Sequence, residues 1–309
     1  MPSQAESQPT GNAPCPVCGS TNVRPWKTRK IKEHITPEDL RITDARYGLT
    51  LPLVKCGECG FRFADTVGVE RLTSLYERLT DPEYEEGHSS RLLQMRWLIS
   101  LAREAHPDAK TALDVGAASG LLVAETQRAG FNALGIEPSR SLVEAARRHH
   151  GVKILPGVLP HPDLEGMRFD VIFLVDVIEH VSDPIDLLQC CADRLADRGI
   201  LLIVTPDVSS FAARAFGSRW WHCRLAHVGY FNQKSLERAF ERVDLHAFQW
   251  LRAKWFFSVD YLASRLESYL PVAWFNRIAR RIGPLRWLYA RIIPLNLLDS
   301  YVVLVKRAR

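Results

Sequence analysis

Four cysteines near the start of the chain stand in two Cys-x-x-Cys pairs. Cys15 and Cys18 form the first pair, Cys56 and Cys59 form the second, and a glycine follows each pair. Four thiolates in a tetrahedron are preferred ligands of structural zinc. The pattern predicts a zinc ribbon over residues 14–66 with these ligands, although the 37 residues between the pairs exceed the usual spacing of about 15 to 20. The alternative is a set of reduced thiols or a redox pair.

A glycine-rich turn and a later acid form a second candidate site. The segment Leu113–Gly120 reads LDVGAASG, and Glu137 stands 17 residues after Gly120. Ligands of open α/β sheets gather at such turns, where the backbone can be approached closely. A carboxylate after the next strand can accept hydrogen bonds from both hydroxyls of a ribose. A nicotinamide dehydrogenase would use G-x-G-x-x-G, which the spacing of Gly116 and Gly120 does not match.

Acids and histidines that could act on a substrate lie further along. Asp176, Glu179 and His180 follow an apolar run, and His222 and His227 lie in the segment WWHCRLAHVGYF. The first three could hold a divalent cation, or the acids could face the cleft while His180 satisfies a backbone group. Histidine titrates near neutral pH and can remove a hydroxyl proton. His227 is the first candidate base, ahead of His180 and His222, and its structural alternative is packing against aromatic neighbours.

Alternating strands and helices must position these residues. Strands are expected at Thr111–Val115, Ala133–Glu137, Val152–Leu155, Phe169–Asp176, Gly199–Thr205, Leu245–Leu251 and Ser300–Lys306. This alternation predicts an α/β fold with a mainly parallel sheet covered on both faces. We expect a disordered tail over 1–13, a helical linker region over 67–110 and a cofactor-binding domain over 111–309.

Three of these segments resemble successive motifs of the class I S-adenosylmethionine-dependent methyltransferases: LDVGAASG, LGIEPS and FDVIFLVDVIEHV. The resemblance implies a Rossmann-like, seven-stranded, mainly parallel sheet and S-adenosylmethionine as cofactor. It assigns cofactor contacts to Asp114, Gly116, Ala118, Gly120, Glu137, Pro138 and Asp176. Ala118 stands where glycine is common, a change that a backbone in an ordinary φ/ψ region would tolerate.

Resemblances within this family bear on the reaction. The D-V-I-E-H segment is similar to the E-x-x-E-H segment of quinone-biosynthesis O-methyltransferases, which implies a divalent cation at Asp176, Glu179 and His180, although most relatives with this segment need none. The segment around His227 is similar to the wall of the acceptor pocket. Two Cys-x-x-Cys pairs ahead of the domain resemble deoxysugar C-methyltransferases. Asp176, His180 and His227 are the predicted catalytic residues, and attack by oxygen is favoured over attack by carbon.

The last part of the chain is basic and aromatic. The net charge of the chain is +5, yet residues 250–309 carry eleven Lys or Arg and three Asp or Glu. Between Val272 and Ile293 there are five arginines and no acid, and Gly283-Pro284 should divide this stretch into two short helices. We expect a helical insertion over 252–297 before the last strand. It could be a lid, a membrane contact, a diphosphate-binding element or an extension of the core.

The sequence therefore predicts a methyltransferase that acts on a hydroxyl of a sugar, glycan or lipid-linked small molecule. Methylation of a carbon atom is the alternative. An RNA methyltransferase gripping phosphates with the ribbon and the arginines is less favoured, and a non-catalytic zinc-ribbon scaffold is the other alternative. The polar start and the lack of a run of 18 apolar residues predict a cytoplasmic protein, with peripheral contact at the inner membrane face through 252–297 left open.

Overall fold

Within the part of the chain that the structure describes, the strands form one large sheet and two small ones. The computed structural model describes residues 13–27, 35–41, 47–65, 69–80, 88–267 and 271–308. The strands are β1 (Val23–Lys27), β2 (Leu53–Cys56), β3 (Arg62–Ala64), β4 (Thr111–Val115), β5 (Asn132–Glu137), β6 (Ile154–Pro156), β7 (Phe169–Val175), β8 (Leu195–Pro206), β9 (Gly229–Tyr230), β10 (Leu245–Arg252), β11 (Trp255–Ser258), β12 (Ile292–Leu295) and β13 (Ser300–Arg307). Except for its last residue, the tail predicted over 1–13 lies outside the described residues.

Helices connect these strands. They are α1 (Val69–Tyr76), α2 (His88–Ala105), α3 (Leu121–Arg128), α4 (Arg140–His150), α5 (Pro184–Asp193), α6 (Phe211–Phe216), α7 (Gln233–Glu241), α8 (Val259–Leu266), α9 (Ala273–Ala279) and α10 (Gly283–Tyr289). Local sequence sets their ends. Asp183 caps α5 by accepting hydrogen bonds from two backbone N–H groups, and Asn232 caps α7 by accepting one from Ser235. Gly151 ends α4 in a left-handed conformation at φ 67°.

The large sheet has the strand order β10-β13-β8-β7-β4-β5-β6. β4, β5, β6, β7 and β8 run parallel, whereas β13 is antiparallel to both of its neighbours. This confirms the predicted Rossmann-like, mainly parallel, seven-stranded sheet. The carboxyl ends of the parallel strands, together with the end of β10 and the start of β13, therefore meet at one edge, where ligands of such sheets bind.

Both faces of this sheet are covered, as predicted. Along β7, Ile172 and Leu174 join one buried cluster with residues of α5 and α7, whereas Val171 and Phe173 join a second cluster with residues of α2 and α3. This alternation follows from the two-residue period of a strand. Cys191 of α5 is fully buried in the first cluster and packs there as an apolar side chain.

The cysteine-bearing segment forms an antiparallel sheet of order β1-β2-β3-β9. Its last strand, β9, comes from the later segment that holds the candidate histidines, so the sheet spans two regions that are distant in sequence. Between β1 and β2 lies a short 3₁₀ helix, Pro37–Leu40. Residues 28–34 and 42–46, between the two cysteine pairs, lie outside the described part of the chain.

The insertion between β10 and β13 combines α8, α9 and α10 with a two-stranded antiparallel ribbon of β11 and β12. The sequence predicted helices in this insertion and a division at Gly283-Pro284. The structure agrees, because α9 ends at Ala279 and α10 begins at Gly283. The ribbon was not predicted. In the described ranges, no helix is both long enough and apolar enough to cross a bilayer.

Candidate cofactor and acceptor site

The turn between β4 and α3 depends on two glycines. Gly116 has φ 76° and Gly120 has φ 79°, a left-handed region that costs other L-residues about 1–2 kcal/mol. A Cβ on Gly116 would lie 2.5 Å from Cγ2 of Val177, and one on Gly120 would lie 2.8 Å from Cβ of Ala146. Both positions therefore require glycine, and Val177 brings the segment after β7 against this turn.

Ala118 corrects one expectation from the sequence. Its φ is 44°, so the residue lies in the left-handed region and not in the ordinary backbone region that we expected to make the loss of glycine harmless. The backbone N–H of Ala118 donates a hydrogen bond of 2.9 Å to Oε2 of Glu137. A bond to a buried carboxylate offsets part of the strain that the methyl group introduces.

Glu137, at the end of β5, has both carboxylate oxygens engaged by backbone groups. Oε2 accepts from Ala118, and Oε1 accepts from the N–H of Ser139 at 2.8 Å, across Pro138. Burial nevertheless raises the pKa of Glu137 to about 7. Burial, with a smaller contribution from Glu137, raises the pKa of Asp114 to about 8. Two carboxyl groups whose ionised forms are disfavoured by burial thus lie next to the turn. Hydroxyl donors or a cationic ligand would stabilise these ionised forms.

Asp176 follows β7 and also lies in the left-handed region, at φ 52°. Its Oδ1 is buried and has no hydrogen-bond partner within the described residues. Burial raises its pKa to about 6, an effect that His222 opposes and Asp299 reinforces. A strained backbone and an orphaned carboxylate oxygen are typical of a functional position.

Beside it lies a cluster of Glu179 and His227, which are buried, and His180, which is partly buried. Ligand atoms of these three side chains lie within 4.8 Å of one another, and the His180 and His227 rings meet edge to face at 4.7 Å. Oε2 of Glu179 accepts a hydrogen bond from Oγ1 of Thr205 at 2.9 Å, while Oε1 of Glu179 and Nδ1 of His227 lack partners in the described structure. The structure thus groups Glu179 and His180 with His227 rather than with Asp176, which the sequence had predicted as the third ligand.

Burial disfavours the charged forms of all three side chains. It lowers the pKa of His180 to about 4, lowers that of His227 well below its usual value and raises that of Glu179 well above it. Nδ1 of His180 lies 2.9 Å from the backbone oxygen of Ala226, which is the backbone contact considered for it from the sequence. That contact leaves Nε2 of His180 to face the cluster.

His222 has a carboxylate partner that the sequence did not reveal. Its Nε2 lies 3.3 Å from Oδ2 of Asp299, a residue that is 1% exposed and precedes β13. Nε1 of Trp220 donates to the same oxygen at 3.3 Å. A buried carboxylate beside an imidazole orients the ring and stabilises its protonated form. The only sequence signal for Asp299 is an acid directly before an apolar strand.

The four cysteines of the N-terminal sheet converge as predicted. Sγ of Cys15 lies 3.7 Å from Sγ of Cys59, and Sγ of Cys18 lies 3.5 Å from Sγ of Cys56. Zinc–sulfur bonds of about 2.3 Å in a tetrahedron require sulfurs about 3.8 Å apart, so the arrangement fits zinc. A hydrogen bond with Cys59 lowers the pKa of Cys15 to about 5, and the same contact raises that of Cys59.

This sheet also holds the segment that carries His222 and His227. β3 pairs with β9 directly after that segment, and the N–H of Ala64 donates to the oxygen of Val228 at 2.8 Å. Nζ of Lys27 lies 3.0 Å from Sγ of Cys223. The cysteine-bearing sheet therefore forms one side of the candidate acceptor site.

Part of the chain is similar to known proteins. A family described as "Methyltransferase domain" matches residues 88–249. The ubiquinone biosynthesis O-methyltransferase of Ralstonia nicotianae is 31% identical over 150 residues, 46% of this chain and 62% of that protein. Its counterpart in Bordetella avium is 27% identical over 149 residues, 46% of this chain and 61% of that protein. The chain thus spans about six-tenths of the length of these curated relatives.

A solved structure titled as a possible histamine N-methyltransferase of Thermotoga maritima covers 74% of this chain and 95% of its own, at 17% identity and a TM-score of 0.46. The amino pentose methyltransferase of Micromonospora echinaspora covers 57% and 94%, at 18% identity and a TM-score of 0.42. Because the methyltransferase-domain match takes in more than half of the 309 residues, the chain belongs to the class I S-adenosylmethionine-dependent methyltransferases.

Proposed function

We propose that this enzyme transfers a methyl group from S-adenosylmethionine to a hydroxyl of a small-molecule acceptor, with His222 as the general base. One observation carries the proposal: the pair of His222 and Asp299 lies at the same sheet edge as the cofactor turn. Val177 contacts the turn at Gly116, and the neighbouring Asp176 interacts electrostatically with both members of the pair.

In this proposal the cofactor lies over the turn of Gly116, Ala118 and Gly120. Glu137, beside Pro138, accepts hydrogen bonds from the ribose hydroxyls, while Asp114 and Asp176 face the rest of the molecule. S-adenosylmethionine, when bound, supplies an activated methyl group and a neutral leaving group. The protein then has to align the acceptor and remove its proton.

His222 suits proton removal better than the histidine that the sequence favoured. His222 is 15% exposed and has Asp299 beside it, whereas His227 is 5% exposed and burial disfavours its protonated form. The proton of the acceptor hydroxyl would pass to the imidazole of His222 as the oxygen–methyl bond forms. Asp299 would stabilise the resulting imidazolium. His180 and His227 then form the wall behind it.

A divalent cation is a further part of the proposal. Glu179, His180 and His227 fit such an ion, since two of their ligand atoms are buried without partners in the described chain. A bound cation would supply positive charge near the acceptor oxygen. Elemental analysis of the purified protein, with His227→Gln as the comparison, tests this assignment, and an unchanged content of every divalent metal in that variant would contradict it.

The acceptor class rests on two different arguments. The names of the relatives from Ralstonia and Bordetella support oxygen as the methylated atom and add compounds of ubiquinone biosynthesis to the acceptors to be tested. The similarity of the cysteine pairs to those of deoxysugar methyltransferases supports a sugar, a glycan or a lipid-linked sugar. Both classes present a hydroxyl, so one assay of product formation can compare them.

The decisive test is calorimetric titration with S-adenosylmethionine, followed by an assay of S-adenosylhomocysteine release with a panel of sugar and phenolic acceptors. Glu137→Ala should abolish cofactor binding. His222→Gln should lower kcat by about 10²- to 10⁴-fold without changing cofactor affinity, whereas His246→Gln, away from the site, should have no effect. A protein that binds neither the cofactor nor its demethylated product would be a scaffold, and the proposal would fail. Salt-sensitive binding of RNA would favour the nucleic-acid alternative.

A further inference from the structure

Two short helices of the insertion expose large apolar side chains. Trp274, the most exposed of them, is 66% accessible, and Trp287 on the following helix is 61% accessible. We call the following set the exposed insertion face: Trp274, Phe275, Ile278, Ile282, Trp287 and Leu288. Side chains of this size are rarely exposed together unless they meet another surface.

The inner side of the same helices contains a buried amide beside Ala279 and Tyr289. Asn276 of α9 is only 3% exposed. Its Nδ2 donates to the oxygen of Ala263 and to Oε1 of Glu267, and its Oδ1 accepts from the hydroxyl of Tyr289 on α10. An amphipathic helix that faces water shows the opposite arrangement, with its amide outside and its tryptophan inside. The polar contacts of Asn276 thus hold α9 with its apolar side turned outward.

The segment that forms the exposed insertion face is also strongly basic. Five exposed arginines lie on or beside it, with no acidic residue between Val272 and Ile293: Arg277, Arg280, Arg281, Arg286 and Arg291. Arg280 pairs with Asp260 at 2.6 Å, and the guanidinium of Arg291 lies 4.0 Å from the ring centre of Trp287. Tryptophan and aliphatic side chains bordered by arginine are the composition of helices that lie in a membrane interface.

The charge of the exposed insertion face also distinguishes between the partners that could cover it. A second copy of the chain on this face would bring two groups of arginines together, which like-charge repulsion opposes. Nucleic acid would use the arginines but leave Ile278, Ile282 and Leu288 without apolar partners. The surface of a bilayer that contains anionic lipids satisfies both features.

We propose that the exposed insertion face docks on an anionic lipid bilayer. The insertion leaves the sheet at Arg252, which pairs with Asp207 at 2.8 Å just after β8. Docking would therefore place the sheet edge that carries His222 near the membrane interface, where a lipid-linked acceptor could reach it. The docking itself does not depend on methyl transfer.

The test is flotation of the full chain with vesicles of phosphatidylcholine alone or mixed with phosphatidylglycerol. The wild-type chain should bind the mixed vesicles, and binding should weaken as salt is added. Replacing Arg277, Arg281 and Arg286 with glutamine should lower the partition coefficient on the order of a hundredfold. A matched control replaces three exposed arginines elsewhere, Arg147, Arg148 and Arg198, and should change it little.

A second variant tests the apolar part. Trp274→Ala with Trp287→Ala should weaken binding roughly tenfold per tryptophan, at an unchanged melting temperature because both side chains are exposed. Cofactor affinity, measured by calorimetry, should be the same in every variant, so loss of docking is distinguishable from failure of the proposed function. Three results would overturn the proposal: no binding to anionic vesicles, self-association that these variants abolish, or tight RNA binding that the glutamine variant alone removes.

Discussion

Lowering the pH from about 8 to about 5 should weaken binding of S-adenosylmethionine about a hundredfold, because Glu137 must be ionised to accept the ribose hydroxyls. Burial raises the pKa of this carboxyl to about 7. Below that value the ionised fraction falls about tenfold per pH unit, which corresponds to about 2.7 kcal/mol two units lower. The pKa of Asp114 is raised to about 8. If cofactor binding also requires ionised Asp114, a second proton is released on binding and the pH dependence becomes steeper.

The ligand-free protein should respond in the opposite direction. The pKa of Glu137 is raised from 4.5 to about 7 in the folded chain. Between these two pH values the folded chain therefore keeps a proton on Glu137 that the unfolded chain has already released. The stabilisation associated with that proton is complete below the unfolded pKa and is lost as the pH rises through the folded one, by about 3 kcal/mol in all. Urea unfolding at several pH values should show this loss, and saturating cofactor should reduce it.

Calorimetry between about pH 5 and 8 in two buffers of different ionisation enthalpy measures both affinity and protons released. Glu137→Gln is the matched control. Its amide cannot accept from both backbone N–H groups that now bond to the carboxylate, so binding should be weaker and largely independent of pH. Equal cofactor affinity at the two ends of the range in the wild type, or the same pH dependence in the glutamine variant, would refute the assignment of Glu137.

Ala118→Gly should be about 1–2 kcal/mol less destabilising than Ala117→Gly. Both substitutions remove a buried methyl group, but only Ala118 has a positive φ. Equal melting temperatures of the two variants would contradict the backbone strain at Ala118. Gly116→Ala should abolish cofactor binding because its Cβ would clash with Val177, whereas Gly130→Ala, with no atom within 4 Å of its Cβ, should retain binding in calorimetry. Cys59→Ser should remove zinc and lower acceptor turnover on the order of a hundredfold with cofactor affinity unchanged. Parallel loss of turnover and cofactor affinity would show that the cysteine sheet supports the whole fold instead.

Local sequence was sufficient for the elements of the large sheet. The expected strand Thr111–Val115 matches β4, and the expected strands Ala133–Glu137 and Phe169–Asp176 each differ by one residue from β5 and β7. These elements are set by continuous apolar runs, glycine turns and caps, all of which act within a few residues. The approach of the four cysteines was also predictable, because the chemistry of zinc requires it whatever the length of the intervening chain.

Contacts between distant segments could not be predicted in this way. Asp299 comes 77 residues after His222, and their approach depends on the sheet order that places β13 beside β8. The predicted ligand Asp176 lies outside the cluster of Glu179, His180 and His227, and its backbone is in the left-handed region after β7. The left-handed φ of Ala118 likewise accompanies a hydrogen bond to Glu137 on another strand.

The pairing of β3 with β9 changes how the cysteine-bearing sheet should be understood. A module that only read nucleic acid would need a free surface, whereas here β3 is occupied by the segment of His222 and His227. The guanidinium of Arg242, directly after α7, also donates to backbone oxygens of Pro16 and Val17 next to the cysteines. Displacing the sulfurs would thus shift contacts with β9 and with the end of α7. On this argument the cysteine-bearing sheet and the histidines act as one unit, and a metal held by the four cysteines would govern turnover by fixing the position of the base.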